Sequence, residues 1–287
     1  MFVNGHCAPS QKNNTISCLD YNLLKKIAET LNKYDYNIKV YKTKKRLHDE
    51  ISKNIKKETE CETESCWKSL GIIKNELTGK EKEILENSFR PDMPEEWKDN
   101  PNTWLSTIDI DHVMEQYEVG YPKFQYLGAN PIDFDTKINK NTCVSNELCN
   151  FHIKDIRKDG KDSLGMVFNT DPHNKSGQHW FSLFIDLKGV NIKGKPCIYY
   201  FDSLASKPKD EVVKFVERVQ KQCFEIKKDI DFLFNDIKHQ HNDTECGVYC
   251  LHFLVSMLKG CNFKNYIRNK RNDKQMEEFR NFFFIKN

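Results

Sequence analysis

The sequence predicts an α+β protein in which an N-terminal helical arm precedes a core built on a mixed central sheet. Two observations lead to this fold class. From Leu164 onward, short runs rich in β-branched and aromatic residues recur, and helical runs separate or follow them. The helical run that starts near Glu245 is apolar on nearly every face, which indicates a helix buried against the sheet.

The arm is predicted from two charged segments with helical periodicity. The first, which Asp20 is expected to cap, turns four apolar residues to one face: Leu23, Leu24, Ile27 and Leu31. The second follows Thr43 and carries a thinner apolar stripe: Leu47, Ile51 and Ile55. Prolines and acids between Arg90 and Pro101 predict an exposed connector. The chain is therefore divided into a helical arm, residues 1–100, and a core, residues 101–287.

The elements of the core are predicted in chain order. After Leu105, a helix capped by Asp109 is expected to turn four residues inward: Ile110, Val113, Met114 and Tyr117. Four runs predict strands: LGMVFN, WFSLFIDL, CIYYFDS and DFLFNDI. A helix from about Lys209 to Cys223 separates the last two runs, and the buried helix follows them.

Composition limits the classes of function. Lys and Arg number 45 against 42 Asp and Glu, and the resulting net charge of +3 argues against nucleic acid as the main partner. The 11 cysteines, in a chain whose start lacks a signal-peptide pattern, favour a reducing compartment and a soluble intracellular protein. The longest apolar stretch, Val248 to Leu258, is interrupted by His252 and is too short to cross a bilayer.

Cys246 is the first candidate for chemistry, in the segment NDTECGVYCLHFL. It stands where a turn enters a helix, and the unpaired N–H groups and dipole of a helix N-terminus favour a thiolate. Gly247 is expected to leave room for an arriving carbonyl. A buried cysteine is more often a simple core residue, and Cys250, one turn later, is assigned to the core.

Three residues from other segments complete a candidate catalytic set. His179 begins the strand run HWFSLFIDL, and an imidazole titrates in the range needed to accept the thiol proton and donate one to a leaving amine. Asp202 ends the run IYYFDS, and hairpin-like strand pairing would bring it beside His179 to orient the ring. Gln240 precedes Cys246 in a loop, where its amide can donate to a developing oxyanion. Each residue alone has a common structural explanation, so the ordered set carries the prediction.

The ordered set His179-Trp180, Asp202, Gln240 and Cys246-Gly247 resembles the cysteine proteases of the adenain and ubiquitin-like-protein protease clan. Within the clan, the stretches VFNTDPHNKSGQHWFSLFIDLKG, FVERVQKQ, IKHQHNDTECG and MEEFRNFFFI are similar to the SUMO-protease-like, polyprotein-processing proteases of African swine fever virus and related large DNA viruses. The resemblance covers the chain from Trp104 to the C-terminus well, and the arm thinly, through CETESC.

The resemblance implies a papain-like or adenain-like fold and a hydrolase that is a thiol protease. In that clan the matching residues are the base, the orienting acid, the oxyanion donor and the nucleophile. Cleavage after Gly-Gly-type sequences is implied, with Trp180 as the lid of a narrow tunnel and the segment at Trp104 as the opening of the substrate groove. The chain departs from the swine fever virus enzyme at Asp202, where that enzyme has Asn.

Several alternatives stay open from the sequence. Asn242 and Asp243 are also candidates for the oxyanion donor. The active site alone does not separate a polyprotein protease from a deubiquitinase or deSUMOylase that acts on host conjugates. An acetyltransferase of the same clan and a catalytically inactive binding module are less favoured. A zinc site is disfavoured, because His239, His241, Cys246, Cys250 and His252, with the separate pair Cys61 and Cys66, lack tetrahedral-ligand spacing.

Partners and location are expectations that follow from the resemblance. The substrate is expected to be a polyprotein or a capsid or core precursor processed during virion maturation, and no cofactor or metal is expected. Seven basic residues of the arm favour a solvated helix face over contact with DNA or an acidic scaffold: Lys42, Lys44, Lys45, Arg46, Lys53, Lys56 and Lys57. The enzyme is expected in the host cytoplasm at viral assembly sites, either free or packaged in the virion.

Overall fold

The computed structural model describes residues 6–11 and 16–286. The chain forms two compact units. Residues up to Met93 and from Phe282 onward belong to the first unit, and residues Pro94–Asn281 form the second.

The first unit includes the C-terminal segment, which the sequence analysis placed in the core. The backbone N–H of Met93 donates to the carbonyl of Ile285 at 2.8 Å, and Ile285 is buried among the apolar residues of the unit. The chain thus passes between the units at Met93–Pro94 and again at Asn281–Phe282, whereas the predicted boundary lay near Asn100.

The helices of the first unit are α1 (Tyr21–Asn32), α2 (Lys44–Glu58), α3 (Gly71–Glu76) and α4 (Gly79–Asn87). The first two have the apolar faces that the sequence predicts. The predicted cap of α1 is confirmed, since the carboxylate of Asp20 accepts the N–H of Leu23 at 2.8 Å. The two predicted stripes meet in one core: Leu23, Leu24, Ile27 and Leu31 of α1 with Leu47, Ile51 and Ile55 of α2.

Six of the cysteines in the described residues form disulfides, against the expectation of free thiols. The pairs are Cys7–Cys18, Cys61–Cys66 and Cys143–Cys149. The two cysteines of each pair are 11, 5 and 6 positions apart in the sequence, respectively. The remaining cysteines, which include Cys246, are free.

One mixed sheet of five strands forms the centre of the second unit, within the described residues. Its strands are β1 (Phe124–Pro131), β2 (Ser163–Asn169), β3 (Trp180–Asp186), β4 (Cys197–Phe201) and β5 (Asp231–Phe234), in that spatial order. The central pairs β2–β3 and β3–β4 are antiparallel, and the outer pairs β1–β2 and β4–β5 are parallel. All four predicted strands are confirmed.

The helices of the second unit are α5 (Thr107–Gly120), α6 (Asn146–Cys149), α7 (Ile153–Lys158), α8 (Asp210–Glu225), α9 (Cys246–Leu258), α10 (Phe263–Arg268) and α11 (Asp273–Phe283), the last of which ends in the first unit. They include the two helices that the sequence predicts after β4, which are α8 and α9. Helix α9 packs on β3, and its residues from Cys246 to Met257 are all buried. None of the helices in the described part of the chain is long and apolar enough to cross a membrane.

The predicted cap of α5 was wrong. The N-cap is Ser106, whose hydroxyl accepts the N–H of Asp109, while the carboxylate of Asp109 accepts the N–H of Ser106 at 2.8 Å. Asp109 therefore occupies the third helical position of a capping box, in which the two side chains satisfy each other's backbone donors.

Candidate active site

His179 and Asp202 meet at one end of the β3–β4 pair. The strands are antiparallel with Ser182 opposite Phe201, so the residue before β3 and the residue after β4 leave the sheet at the same edge. His179 Nε2 lies 2.7 Å from Asp202 Oδ1, and the side chains are 14% and 1% exposed. The pairing predicted from the sequence is confirmed as a contact, and the catalytic roles of the two residues stay predictions.

The surroundings of His179 favour its protonated form. Burial of the ring acts to lower its pKa, but hydrogen bonds to Asp202 and Cys246, together with the negative charges of those groups, outweigh burial and raise the pKa to about 9. At neutral pH the ring is therefore an imidazolium, which can give a proton to a leaving group.

Cys246 is the first residue of α9 and is 1% exposed. Its thiol interacts with His179, and because Asp202 engages Nε2, the ring nitrogen left for the sulfur is Nδ1. Burial raises the pKa of the other free thiols, to about 12 in Cys197 and also upward in Cys250. Those thiols stay protonated at neutral pH.

Asn235 supports Asp202 and was not found from the sequence. Its side-chain oxygen accepts the backbone N–H of Asp202 at 2.9 Å, and its side-chain nitrogen donates to the carbonyl of Asp202 at 2.7 Å. The N–H of Leu204 donates to Asp202 Oδ1 at 2.8 Å. The chain is therefore held in place where it leaves β4, and the carboxylate is aimed at His179. A polar side chain just after β5 is the only signal that the sequence offers for this role.

Gln240 is the most buried of the three candidate oxyanion donors. It is 1% exposed, whereas Asn242 and Asp243 are exposed to solvent. Its side-chain oxygen accepts the hydroxyl of Ser203 at 2.6 Å, and its nitrogen donates to the carbonyl of Asn242 at 2.7 Å. Because an amide nitrogen carries two hydrogens, this arrangement fixes the amide plane and leaves a second N–H to donate.

Asp273, at the start of α11, links the loop after Gln240 to the helix that bears Cys246. Its Oδ2 accepts the backbone N–H groups of His241 and Asn242 at 2.9 and 3.0 Å. Its Oδ1 accepts the hydroxyl of Tyr249 in α9 at 3.1 Å. The sequence analysis did not predict this contact, because it joins residues more than twenty positions apart.

Trp104 and Trp180 line one cavity of about 560 Å³. The indole N–H of Trp180 donates to the carbonyl of Leu105 at 3.0 Å, which fixes the ring as a wall of the cavity. A side chain at Gly247 would place its Cβ 3.0 Å from the Cβ of Leu105. A side chain at Gly247 would therefore require Leu105 to shift, and the room that Gly247 leaves for an arriving carbonyl stays a prediction.

A metal site finds no support in the residues proposed for it. Cys61 and Cys66 are joined in a disulfide, His239 Nε2 contacts the carbonyl of Ile267 at 3.0 Å, and His252 Nδ1 contacts the hydroxyl of Tyr266 at 2.8 Å. In residues 6–11 and 16–286, no group of three or more His, Cys, Asp or Glu side chains is placed to hold a metal ion.

Comparison with known proteins agrees with this geometry. Residues 150–287 match the model of the Ulp1 protease family, C-terminal catalytic domain. This segment, just under half of the chain, is similar to the catalytic domain of that family. The match includes all four candidate catalytic residues, and the predicted class of enzyme, a cysteine protease that acts on protein substrates, is confirmed.

Viral proteins are among the relatives of this chain. A putative thiol protease of Acanthamoeba polyphaga mimivirus is 32% identical over 73% of this chain, and the alignment covers 65% of that protein, which is less than two thirds of its length. The SUMO-1 cysteine protease of an African swine fever virus isolate is 28% identical over 84% of this chain and 89% of its own length.

The crystal structure of the African swine fever virus protease is similar to this chain with a TM-score of 0.68 and 21% identity. The alignment covers all of this chain and 98% of that one. At this identity the likeness supports the fold, and the predicted α+β class is confirmed.

Proposed function

We propose that the protein is a viral cysteine endopeptidase that cleaves polyproteins or structural precursors after Gly-Gly-type sequences. The observation that supports this most directly is the interaction of Cys246, at the N-terminus of a buried helix, with His179, which is hydrogen-bonded to Asp202. The viral sources of two relatives support the viral origin.

In the first half of the proposed reaction, the thiolate of Cys246 attacks the carbonyl carbon of the scissile peptide bond. The oxyanion that forms accepts hydrogen bonds from the amide of Gln240 and the backbone N–H of Cys246. His179 then gives its proton to the leaving amine as the C–N bond breaks, which leaves a thioester on Cys246.

In the second half, a water molecule attacks the thioester while neutral His179 accepts one of its protons. The tetrahedral intermediate collapses, and the C–S bond breaks to release the new carboxyl terminus. The thiolate of Cys246 and the imidazolium of His179 are thereby restored, and Asp202 stabilises that imidazolium throughout.

The walls of the cavity support small residues at the cleavage site. Trp180 directly follows His179, Leu105 packs against the position that follows Cys246, and both Trp180 and Leu105 line the cavity. The indole ring of Trp180, held by its hydrogen bond to Leu105, narrows the path and excludes larger side chains by steric rejection.

The proposal is tested with a fluorogenic peptide that ends in Gly-Gly before the leaving group. Cys246→Ala should abolish cleavage, and His179→Ala should lower kcat/KM by about 10²–10⁴-fold or beyond detection, because proton transfer is lost. Cys250→Ala, in the same helix, and His152→Ala, at an exposed position, are matched controls that should retain activity. Full activity in Cys246→Ser would contradict thiolate catalysis.

Removal of ubiquitin-like modifiers is the second candidate function. It is favoured by the relative named SUMO-1 cysteine protease and needs the same four residues. Comparing kcat/KM for a SUMO or ubiquitin fluorogenic conjugate with that for the short Gly-Gly peptide separates the two functions. A folded modifier that is cleaved far faster than the peptide would favour the second candidate.

The proposed location is the host cytoplasm at viral assembly sites, or the virion itself, as expected for an enzyme that processes structural precursors. Mass spectrometry of purified particles, together with the products of cleavage of candidate precursors, tests both the location and the substrate. Contact of the basic face of α2 with DNA is the less favoured proposal. Salt-dependent stimulation of cleavage by DNA would support it.

A further inference from the structure

A buried ion pair stands directly beside the nucleophile. Glu245, which precedes Cys246, is 0% exposed, and Arg280 of α11 is 4% exposed. Arg280 Nε donates to Glu245 Oε2 at 2.8 Å, and Nη2 donates to Oε1 at 2.8 Å. The sequence analysis assigned no role to either residue, although an arginine within the apolar run FRNFFFI indicates a buried partner.

The same guanidinium also holds two backbone segments. Nη1 donates to the carbonyl of Thr103 at 2.7 Å, and Nη2 donates to the carbonyl of Thr244 at 3.2 Å. The guanidinium lies 4.6 Å from the centre of the Trp97 ring. One side chain therefore joins the segment that enters α9 to the segment that leads into Trp104.

Those two segments form the nucleophile turn and a wall of the substrate cavity. Leu105 follows Trp104, approaches Gly247 so closely that a Cβ there would lie 3.0 Å away, and accepts the indole N–H of Trp180. A shift of Thr103 would therefore move the wall relative to Cys246. A displacement of about 1 Å in an active site can cost about 10²-fold in rate.

We propose that Glu245 and Arg280 form a positioning pair that sets the distance between the nucleophile turn and the cavity wall. The inference rests on the proposed function, because the site it positions is the one assigned to proteolysis. Neither residue touches a reacting atom, so their effect passes through the backbone of Thr103 and Thr244. A buried pair that only stabilised the fold would affect the melting temperature without a selective effect on the site.

The test separates positioning from stability with three variants and a matched control. Arg280→Met and Glu245→Gln each leave a buried charge alone, which destabilises the fold. The double variant Glu245→Gln/Arg280→Met leaves no unpaired charge and regains stability, but it lacks the guanidinium that binds Thr103 and Thr244.

Arg218→Met is the control, because Arg218 makes the same kinds of contact in α8. It binds Asp135 with two hydrogen bonds of 3.0 and 3.1 Å, donates to the carbonyl of Leu148 at 2.7 Å and lies 5.2 Å from the ring of Phe215. Removal of Arg218 should therefore lower stability without altering the segments at Thr103 and Thr244.

We expect the double variant to melt near the wild-type temperature while its kcat/KM is lower by about 10²-fold, with most of the loss in kcat. Arg218→Met should keep kcat/KM within about threefold of wild type, measured well below its melting temperature. Arg280→Lys keeps the charge without the planar fork and should fall between the two. Recovery of wild-type kcat/KM in the double variant, or an equal loss in Arg218→Met, would overturn the proposal.

Alkylation of Cys246 by iodoacetamide near about pH 6 gives a readout that does not depend on proteolysis. The rate should fall about tenfold in the double variant, because the sulfur moves away from the imidazolium of His179. If the wild type alkylates selectively but cleaves no peptide, the proposed function fails and the alkylation rates still decide the inference. An unchanged alkylation rate in the double variant would count against the positioning pair.

Discussion

Replacing Asp202 with Asn removes a charge from the site while keeping its shape. Asp202 Oδ1 accepts two hydrogen bonds, from His179 Nε2 at 2.7 Å and from the N–H of Leu204 at 2.8 Å. The side-chain oxygen of Asn can accept both bonds. The hydrogen bonds from the side chain of Asn235 to the backbone N–H and C=O of residue 202 are kept. The variant therefore isolates the effect of the negative charge on the imidazolium.

The size of the effect follows from the pKa of His179. Burial acts to lower that pKa, but the hydrogen bonds and charges of Asp202 and Cys246 raise it to about 9. Compared with an ordinary histidine, this corresponds to about 3 kcal/mol of added preference for the imidazolium, shared between the two partners. Loss of the Asp202 charge should lower the pKa of His179 by about 1–2 units.

The sign of the pH dependence is fixed by the raised pKa. Because folding raises the pKa of His179, its contribution to stability is fully present below the unfolded value near about 6.5 and is lost as pH rises through about 9. Activity that needs the imidazolium should fall over the upper part of the same range. In Asp202→Asn, both losses should occur at lower pH.

Two measurements check this prediction. NMR titration of the ring of His179 gives its pKa directly, and the alkaline limb of kcat/KM against pH gives the ionisation that matters for cleavage. The variant should retain substantial activity near neutral pH, because Asn still orients the ring. An unchanged midpoint in both measurements would refute the electrostatic role of Asp202, and loss of all activity across the pH range would refute the idea that orientation is enough.

Three further predictions concern the oxyanion donor, the glycine and the nucleophile. Gln240→Ala should lower kcat by about 10²–10³-fold with little change in KM, whereas Asn242→Ala, at an exposed position, should stay within a few-fold of wild type; a larger effect at Asn242 would reassign the donor. Gly247→Ala should raise KM through overpacking against Leu105. The overpacking costs about 1–3 kcal/mol of stability, which exceeds the gain of at most about 1 kcal/mol in helix propensity. Melting curves and peptide kinetics test this, and an unchanged KM would contradict it. A limiting dose of iodoacetamide at neutral pH should label Cys246 ahead of the other free thiols, whose pKa values burial raises, and peptide mapping that finds uniform labelling would argue against an activated nucleophile.

The sequence was sufficient to find the residues that stand at the ends of strongly patterned elements. His179 precedes β3, Asp202 follows β4 and Cys246 starts α9, and each of these elements is an apolar run that a reader can delimit. The strand β1 was missed, because Gly128 and Pro131 interrupt its pattern and its pairing with β2 is irregular between Tyr126 and Ala129. Its partner lies more than thirty residues away, so no local signal compensates for the weak pattern.

The supporting contacts could not be predicted, because they depend on which distant segments the fold brings together. Asn235 meets Asp202 only when β5 has paired with β4, and Arg280 meets Glu245 only when α11 has packed near the start of α9. The local sequence does carry a weaker signal for one of these contacts. An acid directly before a nucleophilic cysteine disfavours its thiolate unless a cation neutralises that acid. The sequence segment TEC therefore predicts that a partner for Glu245 exists, without saying where it lies.

Backbone groups outside the regular elements receive most of the positioning contacts, for a reason that lies in backbone hydrogen bonding. Within a strand, N–H and C=O groups are used by neighbouring strands, but at strand ends they are available to side chains. The side chain of Asn235 forms hydrogen bonds with the backbone N–H and C=O of Asp202, just after the end of β4. Asp273 accepts the N–H groups of His241 and Asn242, which lie beyond the end of β5. Because each of these contacts fixes main chain rather than a reacting atom, truncating one should lower kcat by displacement of the site and should leave the identity of the nucleophile and the base unchanged.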